Sequence, residues 1–579
     1  MSHEVVADDK AGAHAATEQL EFANGDKEAI ENVINEDVMV VRAMNPNEKA
    51  AALAAASLAD PGVKYRSRRG LQLLGIVLVC LVCGTDNGFD AGAMSNINAM
   101  QPFLDFFGFE EAQASTGILF GMYTVGGVSG FFLNASLPDL LGRRKAMAIS
   151  NSILIVGILL AGLARNLAMF LIGRYFMGLG AICASAAARS YIVEIAPVKH
   201  RGLFLGSYNV VQNVGSIMVS GSGIGFGYMS SEWGWRGLLL VALYGPIINL
   251  SSLYFIPESP RWLYARGRKD DALHVIAKYH SRYHNVDSPM VQLEIQEMDE
   301  EIQFAGTARK PWDLKRLFAT RSNRFRMGLS AMIGIYGQTL GPATTYFTLL
   351  LKVAGINSLG TQRVLNFVNT IVVCSSGLAG AIMMDRVGRR PVSSTTCIRR
   401  PALTTVLHCL QITIFGTSSA CIGMFLIGGL LSHENIKSYA NAGIAFIFIY
   451  QVCTQVAWVP INNLYPAEIM TFDIRGKGLA FQALCTQAAG LIGTFGVPAA
   501  LVKLDYKLYF IFGAWDALGV LIQWAYMAET KGIPLEQMED VFSAPIPKKR
   551  AAELIKSREE RRKQGIADGE GIMATNTGA

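Results

Sequence analysis

The sequence predicts an all-α polytopic membrane protein, with twelve transmembrane helices arranged as two pseudo-symmetric six-helix halves. Three observations lead there. Of 579 residues, 51% are apolar and 17% charged, where soluble domains carry about 25% charged residues. The apolar residues gather in blocks of about twenty, the length of helix that crosses a hydrocarbon core ~30 Å thick. Loop motifs that follow the early blocks recur, in the same order, after the later ones. Backbone groups in lipid have no water to bond, so each block must satisfy its own as a helix. The net charge of +6 is too mild for a polyanionic partner, which sets nucleic-acid binding aside.

The chain opens with an acidic, polar N-terminal tail, residues 1–70, that ends in the basic run Lys64, Arg66, Arg68 and Arg69. No signal peptide is expected, because the first apolar block starts near Leu71. Residues 71–257 form the first half, with spans at 71–92, 115–137, 146–164, 168–189, 203–228 and 236–257. A charged, helix-forming linker with short helices follows at 258–327. Residues 328–527 form the second half, with spans at 328–353, 364–384, 403–431, 440–464, 479–501 and 507–527. The C-terminal tail, 528–579, is basic again through Lys548, Lys549, Arg550, Arg561, Arg562 and Lys563. Lys and Arg crowd the loops after even-numbered spans and are sparse in the others, so the even loops, the linker and both termini are expected to be cytoplasmic.

The internal repeat carries the functional class. Asp139-Leu-Leu-Gly142-Arg143-Arg144 follows span two, and Asp385-Arg-Val-Gly388-Arg389-Arg390 follows span eight. Tyr191-Ile-Val-Glu194 with Arg201-Gly202 closes span four, and Tyr465-Pro-Ala-Glu468 with Arg475-Gly476 closes span ten. Repeated halves of this kind point to a transporter whose site lies between them. From Gly142 to Glu194 is 52 residues and from Gly388 to Glu468 is 80, an excess of 28 in the second half. The stretch 397–416 has no counterpart in the first half and reads either as an insertion from a gene-model error or as a longer loop and ninth span.

Charges inside spans mark function, since each costs at least ~2.5–3.5 kcal/mol and must find a partner or a cavity. Asp86 and Asp90 lie in span one and Arg174 in span four. Asp90 and Arg174 are expected to pair. Asp86 is one helical turn earlier on about the same face, or else lies near the outer vestibule. Cys80 and Cys83 form a C-x-x-C within a span, which reads as helix packing rather than a redox or metal site. Gly117/Gly121 and Gly126/Gly130 fit small-residue helix contacts. The glycines at 221, 223, 225 and 227 do not make a phosphate loop, and no nucleotide or hydrolase motif appears, so an enzyme is not expected.

These motifs, with Gly173-Arg174-Tyr-Phe-Met-Gly178, Pro257-Glu258-Ser-Pro-Arg261-Trp262 and Glu529-Thr530-Lys531-Gly532, resemble the sugar porter family of the major facilitator superfamily, in a wording of fungal type. The resemblance covers about residues 70–542. It implies a sugar substrate moved by alternating access, a proton as coupling ion and no other cofactor, with Asp90 and Arg174 as the coupling pair. It implies a latch at the cytoplasmic face made by Asp139, Arg143, Arg144, Glu194, Arg201, Glu258 and Arg261, and by Asp385, Arg389, Arg390, Glu468 and Arg475. For the sugar, which needs carboxamides and an aromatic platform, Gln212 and Gln338 resemble the family's binding glutamines. Thr486 and Gln487 stand about where the family has Asn and Trp, and Asn462, Asn463, Trp458 and Asn369 are further candidates. The family's second span-seven glutamine and its later asparagine are Gly337 and Ala343 here. The expected setting is the lipid bilayer of the plasma membrane, with a monomer sufficing. A uniporter with the same fold and a non-transporting sugar sensor remain open as alternatives.

Overall fold

The computed structural model describes residues 60, 62–98, 100–108, 114–134, 137–197, 201–306, 315–340, 351, 358–388, 409–432, 437–470, 472–504, 506–528 and 538–563. Long helices stand where the twelve apolar blocks were read. In the first half they are α1 Arg68–Ile97, α2 Ala114–Asn134, α3 Arg143–Gly162, α4 Leu167–Ile195, α5 Arg201–Phe226 and α6 Trp233–Phe255. In the second they are α7 Arg321–Thr339, α8 Leu359–Gly388, α9 Cys409–Leu431, α10 Lys437–Ile469, α11 Phe472–Leu504 and α12 Lys507–Tyr526. No strand occurs among the described residues. Of the stretch 397–416, residues 409–416 open α9 and the rest lies outside the described residues.

Local chemistry sets several helix ends. The Ser67 hydroxyl accepts from Gly70 N at 3.2 Å, Asn166 from Met169 N at 2.8 Å and Thr320 from Asn323 N at 3.1 Å, each capping a first turn. Helix α6 is interrupted at Ala242 and Leu243. Pro246 has no N–H to give the carbonyl four residues earlier, so the helix is broken at that point.

The halves pack internally through small residues. At Gly157 and Gly173, α3 and α4 come so close that a Cβ would sit 2.5 Å from a backbone nitrogen of the other helix. Cys80 and Cys83 are fully buried in α1 and belong to this packing. Phe103, Phe107 and Phe170 close around the buried Trp235, with ring centroids 5.2 to 6.2 Å apart. Between the halves, α2 runs against α11 and α5 against α8. Their contacts lie toward the ends opposite the Gly-Arg-Arg motifs. A Cβ on Gly117 would be 3.4 Å from the carbonyls of Thr494 and Phe495. One on Gly221 would be 3.3 Å from the Phe367 ring, and the Ser220 and Thr370 hydroxyls share a hydrogen bond of 3.1 Å.

The C-terminal tail forms helices over Met538–Ser543 and Pro547–Lys563. Met538, Val541, Phe542 and Ala551 join the apolar core, and Arg326 of α7 donates to the Met538 carbonyl at 3.2 Å.

Residues Met1–Gly62 with His280–Arg309 form a second compact unit. Its described part is built on one carboxylate. Asp60 accepts from the hydroxyls of Ser281 at 2.6 Å and Ser288 at 2.8 Å, and from the backbone N–H of Arg282 at 3.0 Å and Gly62 at 3.1 Å. Nearby, His280 Nδ1 meets the Glu294 carboxylate at 2.7 Å, both side chains buried. Burial pushes the Asp60 carboxyl up, but the four hydrogen bonds outweigh it and hold the group below the ordinary carboxylate value. A depressed folded pKa contributes stability at all pH above the unfolded value of about 3.9. We therefore expect protection of the Gly62 and Arg282 amides from hydrogen exchange, corrected for intrinsic rates, to be constant from neutral pH down to about pH 5. It should fall as acid carries the carboxyl through its lowered value. Asp60→Ala should cut that protection about tenfold or more at neutral pH, from the ~1.5–3 kcal/mol of a hydrogen bond to a charged group.

Candidate functional site

Gly142 has φ of +94°, a conformation that favours glycine, and turns the chain from the short helix Leu137–Leu141 into α3. The turn presents the first N–H groups of α3 to the Glu258 carboxylate. Glu258 Oε1 accepts from Arg143 N at 2.9 Å, Arg144 N at 3.1 Å and Ser259 N at 3.0 Å, an anion seated on a helix N-terminus. The Arg143 side chain reaches Glu194 at 2.9 Å and Asp139 at 3.1 Å. Ser259 donates to the same Glu194 oxygen, Oε2, that Arg143 approaches at 2.9 Å, and Arg144 donates to the Tyr254 carbonyl at 3.2 Å. Arg261 lies within electrostatic reach of Glu194.

Asp139, Arg143, Arg144, Glu194, Glu258 and Arg261 are thus brought together, as their sequence motifs suggested. Among the described residues this cluster joins α3, α4 and the segment after α6 within one half. Glu468 is half-buried at the end of α10. Arg201, Asp385 and Arg475 lie on α5, α8 and α11 with side chains outside the described residues, as are Arg389 and Arg390 altogether. One bond of the repeat is visible in both halves. Tyr191 donates to the Pro257 carbonyl at 2.8 Å, and Tyr465 donates to the Ala528 carbonyl at 2.9 Å. Each of those carbonyls immediately precedes a glutamate, Glu258 or Glu529.

Within the first half, seven residues from the end of α1 and seven from the start of α4, Asp90 meets Arg174. Nη1 pairs with Oδ1, and Nη2 lies 3.2 Å from Oδ2, a two-point contact. Arg174 is 1% exposed and Asp90 7%. Arg174 Nε also donates to the Leu119 carbonyl of α2 at 3.4 Å, and the guanidinium lies 5.1 Å from the Tyr123 ring centre. Tyr123 in turn donates to Asn87 at 3.1 Å. One arginine therefore ties three helices. Breaking such a pair by removing one partner costs about 3–5 kcal/mol, because the other charge stays buried. Asp86 takes a different place from the outer vestibule considered for it. It is buried toward α6, where Gly245 leaves room for its carboxylate. Asp86 stands one helical turn from Asp90 and about 40° around the helix, and its carboxylate meets α6 rather than Arg174.

The second half supplies an uncharged polar groove on α7, α10 and α11. Gln482 donates to the Asn462 carbonyl at 2.7 Å and to its Oδ1 at 3.2 Å, and Thr486 donates back to the Gln482 carbonyl at 2.9 Å. A cavity there is lined by Gly337, Tyr450, Gln451, Gln455, Trp458 and Asn462. Asn462 fills the space in front of Gly337, with Oδ1 3.1 Å from where a Cβ would stand. The glutamine expected at 337 from the resemblance is thus replaced by a carboxamide from another helix. Trp458 is buried, and its indole N–H donates to Thr417 at 3.2 Å, so one edge is fixed and the other faces the cavity.

Gln338 is exposed on α7 next to Gly490, and Gln212 is exposed on α5. Gln487 turns toward Gly127 of α2 and belongs to the contact between halves. Asn369 is buried in α8 with Oδ1 lacking a partner among the described residues. The Asn463 side chain lies outside them. Sequence reasoning missed Gln482, Gln451 and Gln455, which only the azimuths of α10 and α11 place in the groove.

Two six-helix halves, one holding a buried ion pair and the other a polar groove, define a secondary transporter of the major facilitator fold, not an enzyme. The chain belongs to the "Sugar (and other) transporter" family, whose model matches residues 76–542. It is similar to the MFS-type transporter criB of Aspergillus cristatus, 28% identical over 475 residues, covering 81% of this chain and 94% of that one. It is also similar to a high-affinity glucose transporter of Kluyveromyces lactis, 26% identical over 482 residues, covering 83% and 87%. The fold matches the inward-open xylose transporter XylE from E. coli with TM-score 0.64 at 20% identity, over 81% of this chain and 99% of that one.

Gly337→Gln tests the replacement. The new side chain needs the space Asn462 occupies, so sugar affinity should fall about tenfold or more, ~1.4 kcal/mol. Adding Asn462→Ala should recover most of it, as measured by binding to the purified protein.

Proposed function

We propose that this protein moves a sugar across the membrane by alternating access, coupled to protons through Asp90. A buried Asp90–Arg174 pair in the first half, with an uncharged carboxamide groove in the second, is the observation that carries this reading. A carboxylate that can be neutralised by a proton, and an arginine that is then released, give the helices they tie a second arrangement. The groove offers donors and acceptors for hydroxyls and the edge of one indole, which suits a neutral polyhydroxylated substrate. Relatives named for glucose and xylose support a hexose or pentose as cargo.

The basic loops support a cytoplasmic position for those ends and for both termini; we assign the protein to the plasma membrane on the same reading. In that orientation the contacts between α2 and α11, and between α5 and α8, close the outer side. The ion pair is then formed in the state that faces inward. In this cycle Asp90 takes its proton from outside and gives it up inside, and the restored pair resets the carrier.

Uptake of radiolabelled D-glucose and D-xylose in a transporter-null host, across external pH and with a protonophore, tests the proposal. Accumulation should rise as external pH falls and collapse with the protonophore. Uptake that only equilibrates indicates a uniporter, and binding without uptake a sensor. Asp90→Asn mimics the protonated form; it should lose accumulation at least tenfold yet keep sugar exchange across the membrane.

A further inference from the structure

The second half contains a buried carboxylate that the mechanism above does not use. Asp516 lies in the middle of α12 and is 1% exposed, and both its oxygens lack a hydrogen-bond partner among the described residues. It shares one face of α12 with Gly519 and Gln523, three and seven residues on. Gly519 lets the Tyr336 ring of α7 approach to 2.5 Å from a Cβ position, and Tyr336 stacks on Trp515 with centroids 5.1 Å apart. The groups within electrostatic reach of Asp516 are Tyr336 of α7, Cys421 of α9 and Tyr450 of α10. The hydroxyls of both tyrosines also lack partners among the described residues.

Among the described residues no cation faces it from the helices packed around it. Helices α9 and α12 carry no Lys or Arg beyond Lys507 at the start of α12, α10 none after Lys437, and α11 none between Lys477 and Lys503. The arginines of α7, at 321, 324 and 326, sit at its opposite end from Tyr336. The remaining titratable side chains of these helices, Cys409, Tyr439, Cys453, Tyr465, Glu468, Asp473, Cys485, Tyr509 and Tyr526, bring no positive charge, and Arg475 lies in the first turn of α11, before Lys477. Asp90 has an arginine; Asp516 has tyrosines. An isolated carboxylate anion in such a place carries a desolvation cost that nothing here repays, whereas a carboxylic acid has one O–H to donate and hydroxyl oxygens to receive it.

We propose that Asp516 is a second proton-binding site, which holds its proton in the state seen here and exchanges it with water of the sugar groove past Tyr450. Tyr450 lines the cavity and lies within electrostatic reach of the carboxyl. On release the carboxyl O–H bond breaks, the proton passes to water, and the anion left behind is met by the water that has entered. A second chain of bonds ties the cluster to the groove: Trp458 donates to Thr417, which donates to Gln523 at 2.9 Å.

Infrared spectroscopy of the full-length protein in lipid nanodiscs tests this without any sugar, so its failure is distinct from failure of the transport reading. At pH 7 the wild type should show a protonated-carboxyl C=O band that Asp516→Asn lacks and Asp90→Asn keeps. In protein labelled with ¹³C-aspartate the band should shift, and in labelled Asp516→Glu it should return to the unlabelled position, which covers the case that the asparagine variant does not fold. On transfer to D2O the band should downshift, at least tenfold more slowly in Tyr450→Phe. Equal bands in wild type and Asp516→Asn, or no return in labelled Asp516→Glu, would overturn the site; equal exchange rates would overturn the Tyr450 route.

Discussion

A charge surrounded by lipid and packed helices must be met by another charge, by donors fixed around it, or by a proton. Much of this molecule's interior is arranged around that requirement. Arg174 meets Asp90 at two points and donates its Nε–H to the Leu119 carbonyl, so three helices of the first half are joined by one guanidinium. At the ends of the same helices Glu258 takes the free N–H groups of α3, and Arg143 is held by two carboxylates. These bonds make the first half stiff in the middle and at the basic end. They make it a body that can move as one piece.

The two halves keep a common frame and differ in what they place inside it. Tyr191 and Tyr465 make the same bond to the chain leaving the sixth and twelfth helices. That shared corner fixes how the last helix of each half folds back on the fourth. Within the frame, the first half holds the ion pair and the second holds Asn462, Gln482, Thr486 and Trp458. Charge and carboxamides are thus kept apart. In the proposed cycle a sugar, which is neutral, gains from the carboxamides without a nearby full charge competing for them, while a proton that reaches Asp90 changes the packing of the other half. Coupling between the two has to pass through the α2–α11 and α5–α8 contacts.

The frame was legible in the sequence because bilayer thickness sets a block length and the loop motifs repeat. The Asp90–Arg174 pair was legible because two opposite charges inside spans have few other places to go. What the sequence left open depends on how each helix is rotated. Asp86 and Asp90 look alike one turn apart, yet Asp86 turns toward Gly245 and away from Arg174. Gly337 reads as a missing glutamine, and only the packing of α7 on α10 reveals Asn462 in its place. Gln482 and Asp516 carry no motif. Their roles come from neighbours distant in the chain, which set the azimuth through ridge-and-groove packing rather than through any local pattern.

Magnitudes limit what one proton can do in such a machine. Moving a two-state equilibrium from 1:99 to 99:1 takes about 5.5 kcal/mol of differential free energy. Loss of a buried, two-point ion pair amounts to about 3–5 kcal/mol, and some of that returns when the freed arginine finds carbonyls or water. In the proposed cycle, neutralising Asp90 alone therefore leaves the carrier short of a complete swing. Sugar hydroxyls bonded between the halves, Gln212 on one side and Gln338 with Asn462 on the other, would contribute the remainder only if both sets engage at once. A carrier with that arithmetic leaks little: proton without sugar, or sugar without proton, leaves most molecules on the side where they started. The ion pair must then be strong enough to block the swing and weak enough for proton and sugar together to overcome, and its place between water-excluding helices, with Tyr123 over the guanidinium, sets that strength.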